Sequence, residues 1–155
     1  MDKSTLINII RRYEQAHFTI ERRLNALFRD MMPEELTVDQ FLTIRYIRHN
    51  ARTTSSELAD AFCVGKSSIT AIITRLVDKG LIARVPAPED RRVICLTLTS
   101  EGERLSETLE EKMQELIGDC IRHFDAEEGR QFIETYEKLA QVLLQSPAGE
   151  ENGSS

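Results

Sequence analysis

Hydrophobic positions change period twice along this chain, and the changes divide it into elements. From Ser4 to Met31, residues 6, 10, 13, 17, 20, 24, 27 and 31 alternate in steps of four and three. They read Leu, Ile, Tyr, His, Ile, Leu, Leu and Met. That spacing predicts a long amphipathic helix with one narrow apolar seam, broken only at His17 and ended by Pro33. A helix of this length spans roughly 40 Å, so something must pack along it. Thr37-Val38-Asp39-Gln40 has the form of a capping box and opens a second helix to about His49, with Phe41, Leu42, Ile44, Tyr46 and Ile47 as its expected buried face. Thr54-Ser55-Ser56-Glu57 is another box, opening a short helix that carries Leu58, Ala59 and Phe62. Val64-Gly65 is expected to turn the chain through a positive φ at the glycine. The next helix runs from Lys66 to Lys79 over Ile69, Ile72, Ile73, Leu76 and Val77, and Gly80 stands at its left-handed exit.

The period then shortens. Residues 81–85 and 93–98 are apolar runs rich in β-branched residues around the turn-forming stretch Pro86–Arg92, which predicts a β-hairpin with a partly basic tip. Ser100-Glu101-Gly102-Glu103 is read as a further capping box starting a helix to about His123, with Leu105, Leu109, Met113, Leu116, Cys120 and Phe124 along one seam. Asp125–Glu128 caps a last helix over Phe132, Ile133, Tyr136, Leu139, Ala140, Leu143 and Leu144. The stretch 147–155 has the composition of a disordered tail.

Two short helices about a tight turn, followed at once by a hairpin, is the order of a winged helix-turn-helix. The expected fold is mainly α with a small β-hairpin wing. The outer face of the second short helix is Ser67, Ser68, Thr70, Ala71, Thr74 and Arg75, with Lys66 at its start. Such a face is thin enough for a major groove and carries hydroxyls for phosphates or base edges, while Ala71 leaves room for a thymine methyl. Arg91 and Arg92 at the hairpin tip are placed to reach a neighbouring minor groove, whose narrow A·T-rich form attracts guanidinium groups.

Charge sharpens this picture. The 155 residues carry a net charge of −6, yet residues 45–95 hold nine Lys/Arg against five Asp/Glu. A basic middle within an acidic body is a local electrostatic footprint of the kind nucleic acid recognises. Composition excludes other classes. No apolar run reaches the roughly 18 residues of a membrane span, and no secretory signal pattern is visible. Cys63, Cys95 and Cys120 are an odd, scattered set that suits a reducing cytoplasm. His17, His49 and His123 are likewise scattered, with no metal-ligand spacing. No P-loop, no dinucleotide-binding glycine pattern and no nucleophile elbow is present, so no enzyme and no cofactor are expected.

Asp90-Arg91-Arg92 followed by Leu98-Thr99-Ser100-Glu101-Gly102 resembles the D-x-R … L-T-x-x-G pattern of the MarR (multiple antibiotic resistance regulator) family. Ser67–Thr70 and Thr74–Ile82 are similar to that family's recognition helix and its exit, and the likeness covers about residues 5–145. The resemblance implies a homodimeric transcription factor, a repressor that binds a pseudo-palindromic DNA operator and is released by a small, phenolic anion-like ligand. Helices in 1–35 and 100–146 would form the dimer and 36–99 the winged DNA-binding part. It implies further that Asp90 orients the wing arginines and that Arg92 contacts the minor groove. Tyr13, His17, Phe41 and Arg45 become candidates for a ligand pocket. The competing readings are a winged-helix protein–protein module without DNA binding, or a redox- or metal-responsive regulator. Peroxide-sensing relatives carry a cysteine in or near the first helix, and this first helix has none.

Overall fold

The computed structural model describes residues 1–146; the expected tail at 147–155 lies outside them. Within that span the elements are α1 (Lys3–Met31), α2 (Val38–His49), α3 (Ser55–Phe62), α4 (Lys66–Asp78), β1 (Ile82–Pro86), β2 (Ile94–Leu98), α5 (Ser100–Ile121) and α6 (Ala126–Leu144). The chain divides into two compact units, Met1–Leu42 and Thr43 onward.

In the first unit, the Asp2 carboxylate caps α1 by accepting from the Thr5 backbone N–H at 2.9 Å and the Thr5 hydroxyl at 2.8 Å. No α1 side chain is buried, and Leu6, Ile10, Tyr13 and Ile20 of the expected seam are all exposed. The capping box that opens α2 closes as expected. The Thr37 N–H donates to the Gln40 side chain at 3.3 Å, and the Gln40 N–H donates to the Thr37 hydroxyl at 3.2 Å.

The second unit is built on Ile44, Leu58, Ile69, Ile73, Leu76, Ile82, Leu96 and Leu109, each almost wholly buried. The buried face of α2 differs from expectation at two places: Leu42 is exposed and Thr43 is fully buried. Tyr46 is half-buried and meets Phe62 of α3 edge-on, with ring centroids 6.2 Å apart. Helix α3 opens with the Thr54–Glu57 capping box and ends at Cys63, whose φ of 52° is left-handed. The Val64 N–H reaches back to the Ala59 carbonyl at 3.1 Å and the Cys63 N–H to Asp60 at 3.2 Å, the paired bonds of a Schellman ending. The left-handed turn residue is therefore Cys63 and not Gly65, whose φ is −71°. Helix α4 buries Ile69, Ile73 and Leu76. It ends as expected on Gly80 at φ 71°, with the Leu81 N–H donating to Leu76 and the Gly80 N–H to Val77.

Strands β1 and β2 pair antiparallel from Ile82↔Leu98 to Pro86↔Ile94, and Thr53 bridges to Leu96 on the other side of β2. The following helix is capped by Thr99, not by Ser100. The Thr99 hydroxyl accepts from the Gly102 N–H at 3.1 Å and donates to the Gly80 carbonyl at 2.6 Å, while the Thr99 N–H donates to Leu81 at 3.1 Å. Gly102 is obligatory there, because a Cβ on it would lie 2.0 Å from the Leu81 carbonyl oxygen. The L-T-x-x-G motif is thus a clasp that locks the start of α5 against the exit of α4. On α5, Leu109 and Met113 are buried, but Cys120 is exposed, as is Phe124 just beyond the helix. The Asp125 box caps α6, which buries none of its residues; Phe132, Ile133, Tyr136 and Leu143 stay exposed. Periodicity locates an apolar seam but cannot say that the surface covering it belongs to the same chain.

Candidate nucleic-acid interface

The burial of Ile69, Ile73 and Leu76 turns the opposite face of α4 outward, and Lys66, Ser67, Ser68, Thr70, Ala71, Thr74 and Arg75 are all exposed. Gly65 caps α4 without a side-chain hydrogen bond. The first N–H groups of the helix are thus left for solvent or an anion, with Lys66 beside them. Two hydroxyls on this face already have partners. Thr70 Oγ1 donates to the Lys66 carbonyl at 2.7 Å, and Thr74 Oγ1 accepts from Arg84 Nη2 at 3.3 Å. Arg84, on β1, was not among the sequence candidates. It shares the strand face of buried Ile82 two residues earlier, and this parity together with its place in the basic stretch was the available signal.

At the wing tip, the Asp90 carboxylate grips Arg92. Its Oδ1 accepts from the Arg92 backbone N–H at 3.1 Å and from Nε at 3.1 Å, and Oδ2 accepts from Nη2 at 3.2 Å. These bonds hold the Asp90 carboxyl below its ordinary range, the Arg92 side chain first and its backbone N–H second. Although held, the Arg92 side chain is 91% exposed. Arg91 is exposed beside it. Ala87 N–H to Val93 O at 2.8 Å and Val93 N–H to Asp90 O at 3.0 Å close the loop beneath them. Arg52, in a left-handed conformation at φ 60°, pairs with Glu89 and tethers the loop to the segment before α3.

A second polar cluster escaped the sequence reading because its members lie some sixty residues apart. Glu110 of α5 meets three residues of α2: Arg45 Nε at 3.5 Å, Arg48 Nη1 at 3.6 Å and His49 Nε2. Burial, the largest single influence, raises the Glu110 pKa. The His49 hydrogen bond and the charges of His49, Arg48 and Arg45 together outweigh it, so the carboxyl lies below its ordinary value. Arg45 Nη1 also points at Met113 Sδ, 3.7 Å away.

Of the four pocket candidates, the structure joins Tyr13 and His17, which stack with ring centroids 5.5 Å apart, with Glu21 4.0 Å from His17 Nε2. Phe41 is buried in the core, and Arg45 belongs to the Glu110 cluster. A cavity of about 740 Å³ within Met1–Leu42 is lined by other residues, among them Arg22, Asn25, Arg29, Leu36, Thr37 and Asp39. Cys63 and Cys120 are exposed and Cys95 is buried. Among the described residues no group of three His, Cys, Asp or Glu is placed to hold a metal, and no helix is long and apolar enough to cross a membrane.

An outward polar helix face beside a hairpin that presents a braced arginine defines a winged helix-turn-helix DNA-binding protein. Comparison with known proteins narrows the class. The MarR family profile matches residues 36–94. The chain is 31% identical over 137 residues to the HTH-type transcriptional repressor MdtR of Bacillus subtilis, covering 83% of this chain and 88% of MdtR. It is 36% identical over 93 residues to the HTH-type transcriptional regulator FarR of Neisseria gonorrhoeae, a match spanning 59% of this chain and 64% of that regulator. Among solved structures, a mutant MarR from E. coli complexed with operator DNA has a TM-score of 0.68 at 27% identity, covering 90% of this chain and 98% of that one. The chain belongs to the MarR family of DNA-binding transcriptional regulators. These relatives are regulators of transcription, not enzymes.

Proposed function

We propose that two copies of this chain form a repressor that grips a pseudo-palindromic operator and lets go when a small ligand binds. The observation that carries the reading is the exposed polar face of α4 next to an Asp90-held Arg92. In the proposed complex, Lys66, Ser67, Ser68, Thr70, Ala71, Thr74 and Arg75 enter the major groove, and Arg91 and Arg92 reach the flanking minor groove. The exposed apolar seams of α1 and α6 support a dimer, since side chains such as Ile10, Tyr13, Phe132 and Tyr136 gain from leaving water. Segments 1–35 and 100–146 supply that dimer and 36–99 the DNA-binding part. Two-fold symmetry sets the recognition helices about one DNA turn apart, roughly 34 Å. The known structure of the E. coli relative with operator DNA supports the operator as partner.

Release requires a ligand that binds two spacings of the recognition helices with unequal affinity. The stacked Tyr13–His17 pair, an aromatic face with polar ring edges, suits a phenolic ligand. The place of action is the cytoplasm, where the operator is.

Hydroxyl-radical footprinting of the purified protein on a bound duplex, with the mass of the complex measured by sedimentation, tests this reading. Two protected patches one turn apart and two chains per duplex are expected. Binding by a single chain, or a folded dimer that protects no DNA, overturns it and leaves a protein–protein module as the alternative.

A further inference from the structure

A threonine hydroxyl has one hydrogen to give and two lone pairs to offer. On α4 the two outward threonines have been committed in opposite senses. The Thr70 hydrogen goes to the Lys66 carbonyl at 2.7 Å, so what remains for a ligand is its two lone pairs, an acceptor only. Thr74 instead receives the Arg84 guanidinium N–H at 3.3 Å, and a guanidinium has no acceptor. One lone pair of Thr74 is occupied, and its hydrogen and second lone pair remain, with the hydrogen free to be donated outward. The two residues are one turn apart on the same exposed face, about 6 Å along the helix, or close to two base-pair steps. Arg84 itself has no carboxylate within ion-pair distance among the described residues, so its charge is not spent elsewhere.

We infer that Arg84 is a specificity-determining positioning residue: by donating to Thr74 it fills one of that hydroxyl's two lone pairs and biases it to donate its hydrogen toward the bases, opposite in sense to Thr70, which can only accept. In the major groove an acceptor matches the amino groups of adenine or cytosine, and a donor matches guanine O6 or N7, thymine O4 or adenine N7. The helix then prefers an amino group at one position and an acceptor about two base pairs away. This rests on the reading of α4 as the helix that enters the groove.

The test is a parallel selection from a random duplex library with the full-length wild type and the variants Thr74→Val, Arg84→Met, their combination, and Thr70→Val. Thr74→Val and Arg84→Met are expected to lose preference at the same half-site position by about threefold to tenfold, the worth of one hydrogen bond. The double variant should lose no more discrimination there than either single one, and Thr70→Val should alter a different position. Because Arg84 is a cation, its replacement also lowers affinity for every duplex by a common factor. That common factor alone, with the base preference intact, overturns the proposal, as does a change at a position Thr74→Val leaves untouched. Should Arg84→Met fail to fold, Arg84→Gln, too short to span the contact, gives the same comparison. A wild type that enriches no sequence overturns the DNA-binding reading itself, and this proposal with it; a wild type that selects normally isolates failure to Arg84.

Discussion

Replacing Arg92 by alanine separates any folding role of the wing from its proposed binding role. The Arg92 side chain is 91% exposed and, among the described residues, bonds to Asp90 alone, through Nε and Nη2 at 3.1 and 3.2 Å. Removing it exposes no core residue and leaves both bonds that close the wing loop, Ala87 to Val93 and Val93 to Asp90, in place. An ion pair this open to water is screened and adds little to folding. The thermal midpoint of Arg92→Ala should therefore match that of the wild type. Binding should not match. If Arg92 contributes what other direct base contacts do, about 1–3 kcal/mol, the operator dissociation constant should rise by about 5-fold to 150-fold. Fluorescence anisotropy with a labelled duplex, at two salt concentrations, reads this directly. Asp90→Asn provides the internal comparison: it keeps the cation but removes the carboxylate that orients it, so its loss of affinity should be smaller than that of Arg92→Ala. A folded, dimeric Arg92→Ala that binds within twofold of wild type refutes the assignment of the wing.

Three further outcomes follow from the geometry. Gly102→Ala places a Cβ 2.0 Å from the Leu81 carbonyl oxygen and must pry open the Thr99 clasp, so it should lower unfolding free energy by about 3 kcal/mol in urea titration; a loss under 0.5 kcal/mol would show that α5 shifts freely. Cys63→Gly relieves a left-handed non-glycine residue at φ 52° and should raise the urea midpoint, a gain of about 0.5–1 kcal/mol after the extra entropy of glycine in the unfolded chain; a lower midpoint contradicts this. Glu110→Gln removes a carboxylate whose pKa is depressed in the folded state, so wild type should exceed the variant in stability above the unfolded carboxyl value of 4.5. That advantage should fade as pH falls through the lower folded value, and a gap between the two unfolding midpoints that stays constant from pH 7 to pH 3 would sink the account of the cluster.

What could be read from the chain beforehand was what depends on neighbours in sequence. The boxes at Thr37/Gln40, Thr54/Glu57 and Asp125/Glu128 form because each pair is three residues apart, whatever surrounds it. The buried stripe of α4 and the presence of a two-stranded hairpin follow from period and turn residues. Phase in a short helix is weaker information, and α2 accordingly buries Thr43 where Leu42 was expected. The turn before α4 misled for another reason. Glycine is the usual left-handed residue, but the backbone bonds from Cys63 and Val64 place that conformation two residues earlier, at a cysteine. The Arg84–Thr74 bond and the Glu110 cluster join separate elements, and no local pattern encodes which long side chains will meet across them. The seams of α1 and α6 are a different case: their periodicity is plain, yet nearly all of their large apolar side chains remain exposed in the single chain.

The central claim is that α4 and the wing form a DNA-reading surface presented twice. Selection of binding sites from random duplexes, followed by affinity measurements on the winning sequence at 50 and 200 mM salt (about fourfold apart), addresses it most directly. The account predicts a pseudo-palindromic consensus with half-sites about one helical turn apart and an affinity that falls steeply with salt. A folded sample that enriches no sequence, or whose binding is indifferent to salt, would contradict it.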